Sequence, residues 1–462
     1  MELPADFIHG MNAMLQEDEL SHFLEALAHE PSVSIRVNEA KSGLDDLLSG
    51  NPSITPDGRV PWACSGVYLK ERPDFTSDPL LHAGCYYVQE ASSMFLEQAV
   101  RTCVSGPVTM LDLCAAPGGK TTHLCSLLPH GSLLVANEIN RSRAAILAEN
   151  VTKWGAGNVL VTNDTPERIG RSSIMFDIIL TDVPCSGEGM FRKDPVAISE
   201  WSQANVRMCA DRQREILRSI WDSLKPGGHL IYSTCTYNSN EDENNVRWMM
   251  NEFGAEPVGI DTAPEWNVAG ALDGSSMPVY HFMQHRTRGE GFFLALLKKP
   301  GEAAGINMRS KMPKSEDGEF RNWISNPDSY IFDRRDSAVF ALPAQYASLM
   351  QQVSSEIHTI VPGLQIAVQK GHDWTPAHAL AMSSEYDESA FPQCEIDLDT
   401  ALRYLHLEAI HLEGMPKGYV SVRYKGHRLG FVKNIGNRAN NLYPQEWRIR
   451  TSYTTPFCLF DN

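Results

Sequence analysis

Two cysteines and one aspartate in this chain directly follow short apolar segments. Cys185 lies in Asp182-Val-Pro-Cys-Ser-Gly-Glu-Gly-Met190, and Cys235 lies in Ser233-Thr-Cys-Thr-Tyr237. A thiolate that adds to carbon 6 of a cytosine pushes electron density toward carbon 5, which can then accept a methyl group from a sulfonium donor. Turnover needs a second group for release of the thiol, and an acid such as Asp182 could bind the ring near nitrogen 3. These residue types therefore suit covalent attack on a pyrimidine ring.

The segment Asp112-Leu-Cys-Ala-Ala-Pro-Gly-Gly-Lys120 is a candidate ligand loop. It stands where a predicted strand gives way to a helix, and its small residues let the backbone approach a ligand closely. Glu138 lies 20 residues after Gly118, the spacing at which an acid can accept hydrogen bonds from ribose hydroxyls. Asp164 ends the next predicted strand and could contact an adenine. Together these residues favour an adenosyl ligand.

Three other interpretations of the loop are weaker. A phosphate loop of the form GxxxxGK[ST] matches at Gly119-Lys120-Thr121, but its first position is Cys114. The nicotinamide pattern GxGxxG is also absent from this segment. An ordinary tight turn would explain a lone Gly-Gly pair, but it leaves Glu138 and the regular alternation of elements around it unexplained.

A doubly wound parallel sheet is the expected scaffold for these residues. Strands are predicted at 108–113, 132–137, 158–162, 176–181 and 229–233, with helices between them and a last strand at 292–297. A long helix is predicted from Ile198 to Leu224, ending at Lys225-Pro-Gly-Gly228. Parallel strands deliver their carboxyl ends to one edge, so both cysteines should face the ligand loop. A single cysteine at a strand end is more often a small buried hydrophobe, and this joint placement is what favours a nucleophile.

Composition limits the class of protein. The chain has 462 residues, 42% of them apolar and 21% charged, which is typical of folded globular proteins. Its N-terminus lacks the features of a signal peptide, and no segment is apolar enough for a membrane helix. The ten cysteines show no CxxC spacing, so we expect free thiols in a reducing cytoplasm and no metal. The net charge of -17 restricts any contact with nucleic acid to local patches.

Four segments are predicted along the chain. They are an N-terminal RNA-binding extension of mixed α+β structure at 1–85, a methyltransferase-like core at 86–299, a linker with an intermediate α+β segment at 300–389, and a β-rich module at 390–462. The extension should begin with two short amphipathic helices within 6–28 and a strand at 34–38. The polar stretch 300–319 is the preferred linker.

The core motifs resemble the Sun-type family of RNA cytosine-5 methyltransferases. The resemblance covers roughly residues 30–300, because Ile35-Arg-Val-Asn38, Val88-Gln-Glu-Ala-Ser-Ser93 and Glu241-Asp-Glu243 stand in the family's order with the motifs above. It implies a class I, Rossmann-like methyltransferase fold, S-adenosylmethionine as cofactor and RNA as substrate. Within the family, the overall length and the C-terminal arm are most similar to the bacterial RsmF type, which methylates small-subunit ribosomal RNA.

The resemblance also distinguishes the two thiols, which the residues alone leave nearly interchangeable. It implies that Cys235 is the nucleophile and that Cys185 assists release of the product, with Asp182 as the third catalytic residue. DNA cytosine-5 enzymes, by contrast, take their nucleophile from a Pro-Cys motif like the one at Cys185. The cofactor contacts that the family implies are Cys114, Ala115, Ala116, Pro117, Gly118, Gly119, Lys120, Glu138, Asp164 and Asp182.

The C-terminal module reverses the charge of the chain locally. Between Met415 and Arg450 the only acid is Glu446, and the basic residues are Lys417, Arg423, Lys425, Arg428, Lys433, Arg438, Arg448 and Arg450. The aromatic residues Tyr419, Tyr424, Phe431, Tyr443 and Trp447 alternate with them, which suits phosphate contact and base stacking. The alternative is a solvated basic face over a small aromatic core. Resemblance points to a PUA-like RNA-binding module.

Three functions follow from these observations. The leading hypothesis is an RNA cytosine-5 methyltransferase acting on ribosomal RNA, or alternatively on transfer RNA. The second hypothesis is a nucleotide hydrolase, but the incomplete phosphate loop argues against it. The third is a catalytically inactive RNA-binding protein. The presence of Cys185, Cys235, Asp182 and Glu138 argues against that hypothesis. We expect a monomer in the cytoplasm that does not contact a membrane.

Overall fold

The computed structural model describes residues 2–51, 53–302 and 318–450. The N-terminal extension begins with the two predicted helices, which pack on the core through Phe7 and Phe23. Its strands form an antiparallel sheet in the order β2-β3-β1-β4. The elements are α1 (Ala5–Met14), α2 (Glu17–Leu27), β1 (Val33–Val37), α3 (Leu44–Gly50), β2 (Pro56–Arg59), β3 (Gly66–Leu69), α4 (Pro79–His82) and β4 (Tyr86–Val88).

The core is a nine-stranded sheet with helices between its strands, which confirms the doubly wound prediction. Its elements are α5 (Leu96–Cys103), β5 (Thr109–Asp112), α6 (Gly119–Leu127), β6 (Leu133–Asn137), α7 (Arg141–Trp154), β7 (Val159–Thr162), α8 (Pro166–Arg171), β8 (Phe176–Asp182), α9 (Pro195–Glu200), α10 (Gln203–Ile220), β9 (Leu224–Thr234), α11 (Glu243–Phe253), β10 (Glu256–Val258), β11 (Val279–Phe282) and β12 (Phe292–Lys298).

The remaining described residues form two further four-stranded sheets. The first has the order β13-β14-β16-β17, and the second has the order β18-β19-β20-β21. The elements of this part of the chain are β13 (Tyr330–Arg335), β14 (Ala338–Pro343), α12 (Ala347–Glu356), β15 (Thr359–Val361), β16 (Leu364–Lys370), β17 (Asp373–Pro376), α13 (His378–Met382), β18 (Gln393–Glu395), α14 (Leu398–Leu405), β19 (Gly418–Tyr424), β20 (His427–Asn434) and β21 (Ala439–Asn441). Of these strands, β15 belongs to the large sheet as its ninth strand.

The order of the large sheet is β10-β12-β9-β8-β5-β6-β7-β15, with β11 also paired to β12. Strands β9, β8, β5, β6 and β7 are parallel, whereas β12 pairs with β9 and β15 pairs with β7 in antiparallel fashion. The chain leaves β5 toward β6 on one side and returns to β8 on the other. Ligands of such sheets bind at the carboxyl ends of the strands beside this reversal, which is where the candidate loop lies.

The long helix predicted from Ile198 to Leu224 is wrong in two respects. The chain extends at Trp201 and Ser202, and the Ser202 side chain accepts a hydrogen bond from the N–H of Asn205 to begin α10. At the other end, Lys225-Pro-Gly-Gly228 lies inside β9 rather than closing a helix. Gly228 is needed there because a Cβ would come within 2.7 Å of the carbonyl oxygen of Asp177 on the neighbouring strand.

The apolar cores run across the predicted segments. Leu342, Met350 and Val353 of the intermediate segment pack into one face of the large sheet, and β15 extends that sheet. Ile35 of the extension shares a cluster with Val420 of the C-terminal module. The four boundaries stay predictions, and residues 303–317 of the predicted linker lie outside the described residues.

Candidate active site

Strand pairing brings the predicted chemical residues to one edge of the sheet. β8 lies between β5 and β9, with Asp112 opposite Leu180 and Asp182 opposite Ser233. The loops that follow these three strands carry Cys114–Lys120, Cys185 and Cys235. The loops that carry both cysteines and the candidate ligand loop therefore lie at the same edge of the sheet.

The two thiols are in direct contact. The Sγ atoms of Cys185 and Cys235 are 3.1 Å apart, and the Cys235 N–H donates to the Cys185 sulfur at 3.4 Å. Both side chains are partly exposed. The hydrogen bond to Cys235, together with burial, raises the pKa of the Cys185 thiol well above its ordinary value. Cys185 is therefore held protonated and can donate to its neighbour.

Lys120 and Asp182 form an ion pair beside the thiols. Lys120 Nζ lies 2.8 Å from Asp182 Oδ2, and the Ser233 hydroxyl donates to Asp182 Oδ1 at 2.7 Å. Burial disfavours the charged ammonium, but Asp182, Asp112 and Cys235 together raise the pKa of Lys120. The site therefore contains a fixed positive charge that also interacts with the Cys235 sulfur.

The ligand loop is held by its backbone. The N–H of Ala115 donates to Asn137 O at 2.8 Å, Arg143 donates to Ala116 O at 2.7 Å, and Asn150 donates to Pro117 O at 2.8 Å. Burial raises the pKa of the Cys114 thiol, so this cysteine stays neutral within the loop. The loop is thus a preformed backbone surface.

Its glycines have separate tasks. Gly118 adopts a φ of 115° as it leads into α6, a conformation that favours glycine. A Cβ on Gly119 would lie 3.3 Å from the ring of Tyr87, so the extension packs closely over the loop. α6 begins without a side-chain cap, which leaves its first N–H groups able to bind a carboxylate.

Glu138 and Asp164 stand at the ends of β6 and β7 as predicted, and both already have partners. Glu138 accepts from the N–H of Asn140 at 2.9 Å and lies 3.3 Å from an Arg143 nitrogen. The two oxygens of Asp164 accept from the N–H groups of Thr165 and His358, each at 2.9 Å. The backbone amides of α6 and the Glu138 carboxylate match the carboxylate and ribose hydroxyls of S-adenosylmethionine, so the donor set fits that cofactor.

Sequence reasoning assigned no role to several buried acids at this edge. Asp112 is fully buried, accepts from the Thr121 hydroxyl at 2.7 Å, and has its pKa raised to about 7 by burial. Asp242 accepts from the hydroxyls of Thr234 and Thr236, which flank Cys235, at 2.6 and 3.0 Å. The run Glu241-Asp-Glu243 was the available signal, but three consecutive acids normally indicate an exposed face.

The upstream motifs contact the ligand loop. Arg36 is fully buried and donates to the Thr122 hydroxyl at 2.5 Å, to Gly119 O at 3.4 Å and to Gln89 at 2.8 Å. Asn38 donates to the carbonyls of Gly84 and Trp154. The extension therefore supports the first turn of α6 directly.

In the C-terminal module, the prediction of interleaved bases and stacking aromatics is partly wrong. Phe431, Tyr443 and Tyr424 are buried, so they form a core rather than a stacking surface. Arg428 donates to the carbonyls of Ala381 and Ser383 and pairs with an acid, and Arg423 likewise pairs with an acid. The predicted β-rich character of the module is confirmed by the sheet β18-β19-β20-β21. Exposed basic side chains remain at Lys417, Lys425, Arg438, Arg448 and Arg450.

The described residues contain neither a cluster of metal-ligating side chains nor a membrane-spanning helix. Within 2–51, 53–302 and 318–450, no group of three or more His, Cys, Asp or Glu side chains is arranged to hold a metal ion. Over the same described ranges, no helix combines the length and apolarity needed to cross a membrane.

Three family models match the chain in order. Residues 3–91 match the N-terminal domain of 16S rRNA methyltransferase RsmF. Residues 105–298 match 16S rRNA methyltransferase RsmB/F, and residues 391–449 match the methyltransferase RsmF PUA domain.

Curated relatives match nearly the whole chain. The chain is 31% identical over 475 residues to ribosomal RNA small subunit methyltransferase F of Serratia proteamaculans (strain 568), with 96% of each protein covered. It is 31% identical over 479 residues to the protein of the same name from Escherichia coli O17:K52:H18, again with 96% of each covered.

Solved structures share the fold. The crystal structure of PH0851 matches with a TM-score of 0.57 and 27% identity, covering 64% of this chain and 66% of that chain. NSun6 from Pyrococcus horikoshii with SFG matches with a TM-score of 0.56 and 20% identity, covering 65% of this chain and 99% of that chain.

Proposed function

The chain belongs to the RsmB/F family of 16S rRNA methyltransferases, and from this premise we propose that it methylates carbon 5 of a cytosine in small-subunit ribosomal RNA. The observation that carries the proposal is the 3.1 Å contact between Cys185 and Cys235 beside the Lys120–Asp182 pair. Two thiols in contact at the edge of a methyltransferase sheet suit an addition and release reaction on a pyrimidine ring.

The cofactor is S-adenosylmethionine, which supplies an electrophilic methyl group when bound. We assign its contacts to the loop Cys114–Lys120, Glu138, Asp164 and Asp182. The backbone amides at the start of α6 bind its carboxylate, and Glu138 accepts from its ribose hydroxyls. Arg143, which lies over Glu138 and donates to Ala116 O, helps to keep these groups in place.

We assign the attack to Cys235. Its sulfur bonds to carbon 6 of the cytosine, and the electron pair of the double bond between carbons 5 and 6 moves toward carbon 5. Cys185 is held protonated, so it donates to the Cys235 sulfur and can return a proton to it during release. Carbon 5 then takes the methyl group. Water accepts the remaining proton on carbon 5, the electron pair of that C–H bond re-forms the double bond between carbons 5 and 6, and the bond from carbon 6 to sulfur breaks. Cys235 leaves as a thiolate, which the Cys185 thiol can protonate.

Asp182 and Lys120 balance charge around the ring. Asp182 is the candidate for contact near nitrogen 3, and the Lys120 ammonium 2.8 Å away offsets its negative charge. A fixed charge pair of this kind needs little reorganisation as charge develops on the substrate.

The RNA reaches this edge past basic surfaces. A cavity of about 650 Å³ between the extension and the core is lined by Lys70, Arg72, Arg192, Arg286 and Arg288, together with Glu30 and Glu71. Of its arginines, Arg192, Arg286 and Arg288 are paired with carboxylates. Arg192 lies two residues after the Cys185-bearing segment Asp182–Met190, and its side chain donates to Gly289 O, another residue of the cavity lining. The exposed bases of the PUA domain provide a second surface. Phosphate contacts on both would orient a folded RNA without reading its sequence.

The proposed substrate indicates where the protein works in the cell. A protein that modifies bacterial small-subunit RNA works in the cytoplasm, which we propose as its location. We also propose that it acts as a monomer. Analytical ultracentrifugation at working concentration would test the second point.

The test is methyl transfer from radiolabelled S-adenosylmethionine to small-subunit ribosomal RNA, to assembled small subunits and to transfer RNA. We expect labelled 5-methylcytosine in the ribosomal substrate with wild type, no label with Cys235→Ala, and a covalent protein–RNA adduct that persists in denaturing gels with Cys185→Ala. Methylation by Cys235→Ala would refute the assigned nucleophile. Label in transfer RNA alone would refute the substrate, and no label in any RNA would favour a binding protein.

A further inference from the structure

Two buried glutamates connect the loops that carry the thiols. The Cys185 loop comprises residues 183–190, and the Cys235 loop comprises residues 235–242. Glu188 of the first loop is 2% exposed, and Glu241 of the second is 0% exposed. Each carboxylate accepts hydrogen bonds from the backbone of the opposite loop, so the two connections are reciprocal.

Glu188 holds the Cys235 loop. Its Oε2 atom accepts from the N–H groups of Tyr237 and Asn238 at 3.0 and 3.1 Å. Its Oε1 atom accepts from the indole nitrogen of Trp201 at 2.9 Å, which fixes the carboxylate from the other side. The Glu188 carboxylate therefore binds the backbone two and three residues after Cys235.

Glu241 holds the Cys185 loop. Its Oε2 atom accepts from the N–H of Ser186 at 3.0 Å and from Gln213 at 2.7 Å. Its Oε1 atom accepts from the Ser186 hydroxyl and from the Asn238 side chain. Gln213 also donates to Pro184 O at 3.0 Å. Both neighbours of Cys185 are thus tied to one carboxylate and its amide partner.

Few other bonds join these loops. The parallel ladder of β8 and β9 ends at Asp182 and Ser233, before either cysteine. Beyond it, the N–H of Gly189 donates to Cys235 O at 2.8 Å. Among the described residues, no backbone carbonyl accepts from the N–H groups of Ser186, Tyr237 or Asn238. A buried N–H without a partner is costly, so the carboxylates set how the two loops lie against each other.

We propose that Glu188 and Glu241 are positioning residues that hold Cys185 and Cys235 at the separation needed for attack and for release. The inference rests on the proposed function for its chemical meaning. Neither carboxylate touches the reacting atoms, and each acts through the backbone beside a thiol. A displacement of about 1 Å in a reacting group can cost roughly a hundredfold in rate, so the effect on catalysis should be large.

Glu241→Gln tests this with little change in shape. The side-chain carboxylate of Glu241 accepts four hydrogen bonds, two at each oxygen. In the glutamine variant, one of these oxygens is replaced by an NH₂ group, which faces hydrogen-bond donors whichever way the amide is turned. Glu243→Gln is the matched control from the same acidic run. Glu243 is equally buried, but it accepts from His281 and from the N–H of Leu272, outside both loops.

Two measurements on full-length protein follow. The first is the rate at which diamide, a two-electron oxidant, converts the two thiols to a disulfide while diamide itself takes up their two hydrogens. The second is kcat and KM for RNA methylation. For folded Glu241→Gln we expect at least about tenfold slower disulfide formation and a kcat lower by roughly tenfold to a hundredfold, with KM for RNA within about twofold. Glu243→Gln should stay near wild type in both.

The outcomes separate this inference from the proposed function. Unchanged disulfide and methylation rates in folded Glu241→Gln would overturn it, as would equal losses in Glu243→Gln. If Glu241→Gln does not fold, Glu188→Gln is the replacement variant. Its amide oxygen can accept from Tyr237 and Asn238 only if its NH₂ group faces the indole N–H of Trp201, which is also a donor. If wild type methylates no RNA, the proposed function fails, while the disulfide rates still decide whether the glutamates position the thiols.

Discussion

The Sγ atoms of Cys185 and Cys235 lie 3.1 Å apart although 50 residues separate them in the sequence. Parallel pairing of β8 with β9 brings the loops together, and the residue pair Asp182 and Ser233 ends that pairing. The contact is therefore a product of the sheet, and the polar groups around it decide its chemistry. Lys120, Asp112 and Arg36 each make a different contribution that can be measured.

Lys120→Met should lower kcat by roughly tenfold to a hundredfold, because it removes the fixed positive charge beside Asp182 and Cys235. The matched control is Lys153→Met, which breaks a similar 2.6 Å pair with Glu149 at the far end of α7. Steady-state methylation at saturating RNA and cofactor would compare them. Equal kcat values for the two variants would show that the charge at Lys120 has no part in the reaction.

Asp112→Asn should stabilise the protein more at high pH than at low pH. Burial raises the folded pKa of Asp112 to about 7 from an ordinary 3.8, so the folded state retains a proton that the unfolded chain releases. This acid therefore costs the wild type stability as pH rises from about 4 to 7, and the cost is constant above that range.

The asparagine variant carries no such cost. Its advantage in free energy of unfolding should grow across that range to at most roughly 4 kcal/mol, at about 1.4 kcal/mol for each pKa unit. Urea unfolding of both proteins at a series of pH values measures it, and all other titrating groups cancel in the difference. A difference that does not vary with pH would contradict the assignment.

Arg36→Met should weaken the attachment of the extension to the ligand loop. The change removes the hydrogen bonds to Gln89 and Thr122 and leaves buried acceptors unpaired, so we expect a loss of about 3 kcal/mol in the free energy of unfolding. Arg59→Met, on the exposed strand β2, should cost little. Calorimetric titration with S-adenosylmethionine should also show weaker binding for Arg36→Met, and equal affinity for both variants would argue against support of the loop.

Periodicity and strand-end motifs predicted most of the core correctly. The predicted strands lie within one or two residues of those observed, except that β9 begins five residues early at Leu224. That error has a local cause, because Pro226-Gly-Gly228 resembles a helix ending while the strand needs Gly228 for close contact with Asp177. Pairing of β15 with β7 could not be predicted, since a three-residue strand gives no periodic signal.

The site was predicted less completely than the fold. Strand-end placement located both thiols, Asp182 and the loop, because parallel topology alone fixes that edge. The roles of the buried acids Glu188, Glu241 and Asp242 were not predicted. Burial of an acid depends on hydrogen-bond donors that are distant in the sequence, and the sequence alone does not identify them. The same reason explains the C-terminal module, where Arg428 and Phe431 are parts of the interior rather than of a surface.

Exposed bases of the PUA domain should therefore account for its RNA binding. The test variant is the double substitution Lys417→Gln with Arg448→Gln, which changes two exposed side chains of the PUA domain. The control variant is Arg171→Gln with Lys298→Gln. It makes the same change in charge at the edge of the large sheet that lies opposite the ligand loop. Fluorescence anisotropy across a salt series should show weaker binding of ribosomal RNA by the first variant only. The slope of log K against log salt should become shallower by about one for each phosphate that the protein no longer neutralises. Equal affinity and equal slope for the two variants would show that these bases do not contact RNA and would favour the alternative, a solvated basic face.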